Sequence, residues 1–303
     1  MKLKSAFTAL LAGIFTLGLF CPAAATAAPR VKHVFIISFD QGNPDLIQKS
    51  DMPTFHQMAA EGARTWSAYT VVPSVTLPAH TSMLTGVGPQ AHQVLWNDYI
   101  PSNGLVKIPT IFSLAKEHGL VTAMFVGKEK FKHLDLPGSL DAFVWPQPES
   151  DARAVAKAFA AQVAQLKPNL CFIHFADPDT TGHKYGANSP EKMQALADCD
   201  AALKTIKDAI AAAGMTDSSV IILTADHGSH DIKNKDGKMV GTHGNAESSD
   251  VLIPWVAWGK GVKKNFTITA PVVQYDTAAT ALWLLKIPLP ESFWGRPGAS
   301  AFK

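Results

Sequence analysis

Three carboxylates in this sequence stand where strand-like runs end, and two of them have histidines for company. Asp40 closes "HVFIISFD", Asp179 follows "LCFIHFADP", and Asp226 follows "VIILTA" with His227 directly after it. Asp179 belongs to an Asp-x-x-Gly-His segment that brings in His183, and His243 lies in "GTHGN". Taken singly, an aspartate after a strand is most often a turn former or a helix cap. Three aspartates and three histidines together supply enough nitrogen and oxygen donors for two divalent ions, with zinc the best match to that donor set. Thr76, just before Leu77-Pro78, is expected at a helix N-terminus, where free amides and the helix dipole favour a phosphate; alternatively it is simply the cap of that helix.

The elements needed to position these residues can be read around them. Asp51, Pro53 and Gly62 bracket a helix, with Asp51 as its N-cap; "TIFSLAKEHG" is a second helix, followed by the strand "VTAMFV". Asp151 opens an alanine-rich helix that stops before Pro168, and Ser189-Pro190 opens another that runs to Gly214. "VLIPWVAWG" and the helical "YDTAATALWLL" complete the layer. Strands alternating with helices of this length predict an α/β fold, a largely parallel central sheet with helices on both faces. Such sheets bind ligands at the carboxyl ends of their strands, where segments distant in sequence converge.

Of the 303 residues, 47% are hydrophobic and 17% charged, an ordinary globular composition. Residues 1–27 have the layout of a cleaved secretory signal: Lys2 and Lys4, an apolar run to Phe20, then a small-residue tail. Residues 28–303 are then a single catalytic domain, periplasmic or secreted, with no membrane anchor after cleavage. Loss of Lys2 and Lys4 leaves 25 basic residues against 25 acidic ones, so no nucleic-acid surface is evident. Cys171 and Cys199 could pair after export or remain small buried thiols. His33, His118 and His230 are assigned structural or solvent roles, and Asn265-Phe266-Thr267 is a chance match to a glycosylation acceptor.

In order along the chain, "SFD", "TLPAH", "MLTG", "HQVLWND", "DPDTTGH", "ADHG", "THG" and "IPWVAWGKGV" resemble the alkaline phosphatase superfamily, in particular its type I phosphodiesterase/nucleotide pyrophosphatase branch. The resemblance implies one zinc held by Asp179, His183 and His243 and another by Asp40, Asp226 and His227, with the Thr76 oxygen beside them as nucleophile. It also implies that Asn97 contacts a phosphoryl oxygen. The expected activity is hydrolysis of a small phosphate ester through a phospho-threonine, with three carboxylates and an alkoxide balancing two divalent cations. The Cys-x-Pro-x-Arg pattern of sulfatases is absent.

Two features complicate the substrate. Nucleotide-cleaving members carry a phenylalanine after the threonine, on which the base stacks; Leu77 holds that substrate-binding position here. Lys128 and Lys130 in "GKEKFKHL" resemble the lysine pair with which monoesterases and phosphonate-hydrolysing relatives bind a doubly charged group, although a solvated lysine cluster would read the same way. The competing expectations are therefore a diester hydrolase, an alkaline phosphomonoesterase or phosphonate hydrolase, and a non-catalytic metal- or phosphate-binding protein on the same scaffold.

Overall fold

A computed structural model describes residues 29–148 and 150–303; the export signal expected over residues 1–27 lies outside them. Ten strands appear in chain order: β1 (His33–Phe39), β2 (Ala63–Tyr69), β3 (Thr122–Val126), β4 (Ala142–Val144), β5 (Leu170–Phe175), β6 (Ser219–Thr224), β7 (His230–Lys233), β8 (Met239–Thr242), β9 (Leu252–Gly259) and β10 (Phe266–Thr267). Eight form one sheet in the order β10-β2-β9-β6-β1-β5-β3-β4, and β7 with β8 forms a separate hairpin. The sheet is parallel from β6 through β4, whereas β9 runs antiparallel to both β6 and β2.

β1, β5 and β6 are buried over their whole length, as continuous apolar runs in a sheet covered on both faces require. One face packs Phe35, Phe39 and Ile173 against helices Pro53–Glu61, Ala152–Leu166 and Pro190–Ala212. The other packs Ile36 and Phe172 against helices Thr76–Thr85 and Asp276–Leu284. With β1 central and β5 and β6 in parallel register on either side, the carboxyl ends of all three open on one edge. The layered α/β reading therefore holds.

Local differences have physical causes. Asp51 does not cap helix Pro53–Glu61; Met52 holds the cap position, and the carboxylate of Asp200, from a distant helix, accepts the Thr54 and Phe55 amides at 3.0 and 2.7 Å. A charged acceptor buried by tertiary contact serves better than the local side chain. Asp151 and Ser189 do cap their helices as read. Strand β2 and the β7–β8 hairpin were not anticipated. Cys171 and Cys199 are free, buried thiols.

Candidate active site

The three aspartates meet at the open edge of β1, β5 and β6. Asp40 and Asp226 follow β1 and β6, and both are 0% exposed. Asp179 lies in the first turn of helix Asp177–Tyr185, one residue beyond β5, which sets Asp179 and His183 on one helix face as an i, i+4 pair. His243 arrives from the end of β8 and stacks on His227, with ring centroids 3.8 Å apart.

The donor atoms are arranged for cations. His183 Nδ1 lies 3.0 Å from the Gly241 carbonyl, His243 Nδ1 3.0 Å from that of Ser74, and His227 Nδ1 2.9 Å from that of Gly228. A carbonyl only accepts, so each Nδ1 carries the proton and each Nε2 presents a lone pair inward. The lone pairs of His183 and His243 face each other at 3.1 Å, with Asp179 Oδ1 at 3.2 and 3.3 Å from them. Three acceptors at that spacing repel unless a cation lies among them. Donors about 2.0–2.1 Å from a tetrahedral ion are about 3.3 Å apart, so the spacing fits a metal. The neighbouring group is Asp40, Asp226 and His227: His227 Nε2 is 3.2 Å from Asp226 Oδ2 and 3.6 Å from Asp40 Oδ1. Asp226 Oδ2 is buried with no hydrogen-bond partner, which a metal ligand would resolve. The residues present therefore fit two divalent ions.

Protonation shifts follow from the same crowding. Burial, and after it the charge of Asp40, pushes the Asp226 carboxyl well up. Burial pushes Asp40 and Asp179 up, but Lys128 together with His174 at Asp40, and with His183 and His243 at Asp179, holds both below the usual carboxylate range. Burial, then His243, takes the His227 imidazole down to about 3, so it stays neutral, as a ligand must. Asp179, to which Nε2 of a protonated ring would donate, raises His183.

Thr76 is the first residue of the fully buried helix Thr76–Thr85, and Val75 holds the cap position. The cap role is thereby excluded and the hydroxyl is left for the site: Oγ1 lies 3.5 Å from Asp40 Oδ1, from His227 Nε2 and from Lys128 Nζ. Asn97 Oδ1 accepts the Leu77 amide at 2.9 Å, which turns its Nδ2 donors away from the helix. Since Pro78 has no N–H, the Thr76 amide is the one still unclaimed in that first turn.

Lys128 is at the centre rather than in solvent. Its ammonium touches Asp40 Oδ2 at 2.6 Å and Asp179 Oδ2 at 2.5 Å, with 16% of the side chain exposed. Lys130 is half-buried beside it and makes no hydrogen bond or ion pair among the described residues, and burial, then Lys128, lowers its pKa. Leu77 is a correction: its side chain is 0% exposed and packs within the apolar core. His33 and His118 bond backbone carbonyls away from the cluster and His230 pairs with Asp250, as expected of structural histidines.

Sequence reasoning missed His80, His174, Gln41 and Lys192. His80 Nδ1 lies 2.8 Å from the Thr76 carbonyl, and His174 Nε2 lies 2.9 Å from Asp40 Oδ2; both rings are fully buried and pack on Phe131. The available signal was a polar residue inside each apolar run, "LPAH" and "FIHF".

The family described as type I phosphodiesterase / nucleotide pyrophosphatase matches residues 34–270. The chain belongs to this family. Its relatives include ectonucleotide pyrophosphatase/phosphodiesterase family member 7 of Mus musculus, 25% identical over 245 residues, which is 73% of this chain and 56% of that protein. Venom phosphodiesterase 2 of Crotalus adamanteus is 24% identical over 235 residues, 70% of this chain and 28% of the other. The chain thus spans about half or less of the length of these relatives. Among solved structures, human ectonucleotide pyrophosphatase / phosphodiesterase 5 is similar with a TM-score of 0.72 at 17% identity, covering 90% of this chain and 100% of that one. A 2-O GAG sulfatase has a TM-score of 0.68 at 16% identity, covering 88% and 73%. The fold is therefore shared across ester chemistries, and the site residues must distinguish them. No helix among the described residues is long and apolar enough to cross a membrane.

Proposed function

We propose that this member of the family hydrolyses small phosphate esters, phosphodiesterase-like, with Thr76 as the covalent nucleophile and two divalent ions, zinc by donor type, as cofactors. One observation carries the reading: a buried threonine hydroxyl at a helix start stands 3.5 Å from Asp40 and His227, members of an Asp/His cluster whose atoms could hold metal and which His183 joins at its edge. A binding protein has no use for a hydroxyl so placed. Asp179, His183 and His243 would hold one ion, and Asp40, Asp226 and His227 the other. When bound, the ions supply Lewis-acid charge that lowers oxygen pKa values and neutralises the phosphoryl group. The residues do the rest. Thr76 Oγ1 attacks phosphorus, its proton directed toward the nearest carboxylate, Asp40, while the P–O bond to the ester's leaving group breaks and that oxygen departs, taking a proton from solvent. Asn97 Nδ2 and the Thr76 amide donate to phosphoryl oxygens as charge builds. Water then cleaves the phospho-threonine and restores the hydroxyl.

Lys128 favours a second reading, that the preferred substrate is a dianionic monoester or phosphonate. Its ammonium adds a positive charge to a site that three carboxylates, an alkoxide and two divalent ions would otherwise leave neutral. The signal-like residues 1–27 support export to the periplasm or medium. The test is acid-quenched turnover of an aryl phosphate followed by intact-mass analysis. Wild type should carry one added phosphoryl group, and Thr76→Ala should carry none and be inactive while keeping its metal content. Substantial turnover by Thr76→Ala would instead show direct attack by water.

A further inference from the structure

Lys192 is a charged side chain with no solvent exposure at all. It sits in the first turn of helix Pro190–Ala212, with its ammonium reaching Gln41, the residue next to Asp40. Its partners are neutral: Nζ donates to Gln41 Oε1 at 2.6 Å and to Ser229 Oγ at 2.9 Å. Burying an ammonium without a carboxylate in contact is costly. Burial lowers its pKa to about 8, with the negative charges of Asp179 and then Asp40 opposing that shift.

The partner it grips explains the cost. Gln41 joins both halves of the cluster: its Nε2 donates to Asp179 Oδ1 at 2.9 Å and its backbone N–H to Asp226 Oδ1 at 3.0 Å. It is held at φ 62° in the left-handed region, and a Cβ at Gly182 would collide with its amide oxygen. A primary amide can flip, and the two orientations differ in which end meets Asp179. An ammonium only donates. With Lys192 on one side, the carbonyl must face the lysine and the NH₂ must face the carboxylate. Asp179, which only accepts, favours the same orientation; without Lys192 the Gln41 amide oxygen would lose its buried donor and Asp179 alone would hold the amide in place.

We propose that Lys192 is a positioning residue for the metal cluster: by fixing the orientation of the Gln41 amide, it sets the rotamer of Asp179 and the donor atoms Asp179 offers a metal. This rests on the two-metal reading above. It acts through Gln41 and touches neither substrate nor metal.

The experiment is a chelator-competition titration with Zn²⁺, and with Co²⁺ read by its absorption, on wild type, Lys192→Met and Gln41→Met. Outer-shell partners of this kind change metal affinity by roughly 10–100-fold. Both variants should weaken one of the two sites by that factor and alter its Co²⁺ spectrum. Unfolding of metal-free Lys192→Met should be no easier than that of wild type, since a buried charge is gone. Gln41→Met keeps Lys192 in place and carries the test alone should Lys192→Met fail to fold. Affinities within about twofold of wild type overturn the proposal. So does tighter binding in Lys192→Met, the result expected if the lysine acted only as a nearby positive charge. A wild type that takes up no metal overturns the two-metal reading itself, and this proposal with it.

Discussion

Replacing Lys128 with methionine keeps the length of the side chain and removes one positive charge from the middle of the site. The ammonium lies 3.5 Å from the Thr76 oxygen, so on the proposed mechanism it would be within one hydrogen bond of an oxygen on the phosphorus that Thr76 attacks. A monoester dianion offers it one negative charge more than a diester does. A hydrogen bond to a charged group is worth about 1.5–3 kcal/mol, which converts to roughly ten- to a hundredfold in kcat/KM. The substitution also releases Asp40 and Asp179 from contacts of 2.6 and 2.5 Å, so metal occupancy will change. That effect lowers or raises turnover of every ester alike and cancels in a ratio. The quantity to measure is therefore kcat/KM for an aryl phosphate monoester divided by that for the matching diester, at saturating Zn²⁺, in wild type and Lys128→Met. The ratio should fall by roughly ten- to a hundredfold. A ratio that stays within about twofold, whatever happens to each rate, refutes the idea that Lys128 reads substrate charge and leaves it as a partner of the carboxylates alone.

Three further outcomes follow from the geometry. Asn97→Asp keeps the acceptor for the Leu77 amide but loses the Nδ2 donors, so kcat should fall by about 10²–10³ with little change in thermal unfolding; equal losses of stability and activity would make Asn97 merely structural. Leu77→Phe overfills a buried position and should destabilise by about 1–3 kcal/mol in denaturant unfolding, without improving kcat/KM for nucleotides. Burial lifts the Asp177 carboxyl to about 6, against the Ala152 amide hydrogen bond and that of its own backbone. The folded state thus binds this proton more tightly than the unfolded chain, and its stabilising effect is complete below the ordinary value of 3.8 and lost as pH rises through about 6. Asp177→Asn, neutral throughout and still able to accept from Ala152, should gain stability over wild type in urea titrations near neutral pH and little or none in acid; a gain independent of pH would assign the effect to something other than this carboxyl.

The parts of the site that could be read from sequence are those in which chemistry and chain order coincide. Asp40, Asp179 and Asp226 each end an apolar run, and the parallel sheet brings such ends together, so the convergence of these aspartates with their histidines was legible before its geometry was. The supporting residues were not, for distinct reasons. Lys192 sits in a helix whose sequence is polar around it, and only the packing of that helix under the cluster turns it inward. Gln41 follows Asp40 as an ordinary loop residue would; its role comes from a left-handed backbone and a glycine on another helix. Strand β2 was missed because "ARTWSAY" alternates burial with exposure and has few β-branched residues, so its pairing with β9 rather than its own pattern makes it a strand. Leu77 went the other way: the position was legible and the direction of its side chain was not.

The β7–β8 hairpin separates His227 from His243 in the chain, and its base is fastened where its tip is not. At the base, the Gly241 carbonyl holds His183, Gly241 packs against the Gly182 backbone, and Asp231 accepts from Ala187 and Asn188. At the tip, Lys235, Asp236 and Gly237 are exposed, and the space beside Gly237 is open. Chain can therefore be added at the turn without disturbing His227 or His243 on either side, because the added length exerts no leverage past the fastened base. This turn is a place where a longer loop could be grafted beside the Asp/His cluster while the residues of the cluster keep their arrangement.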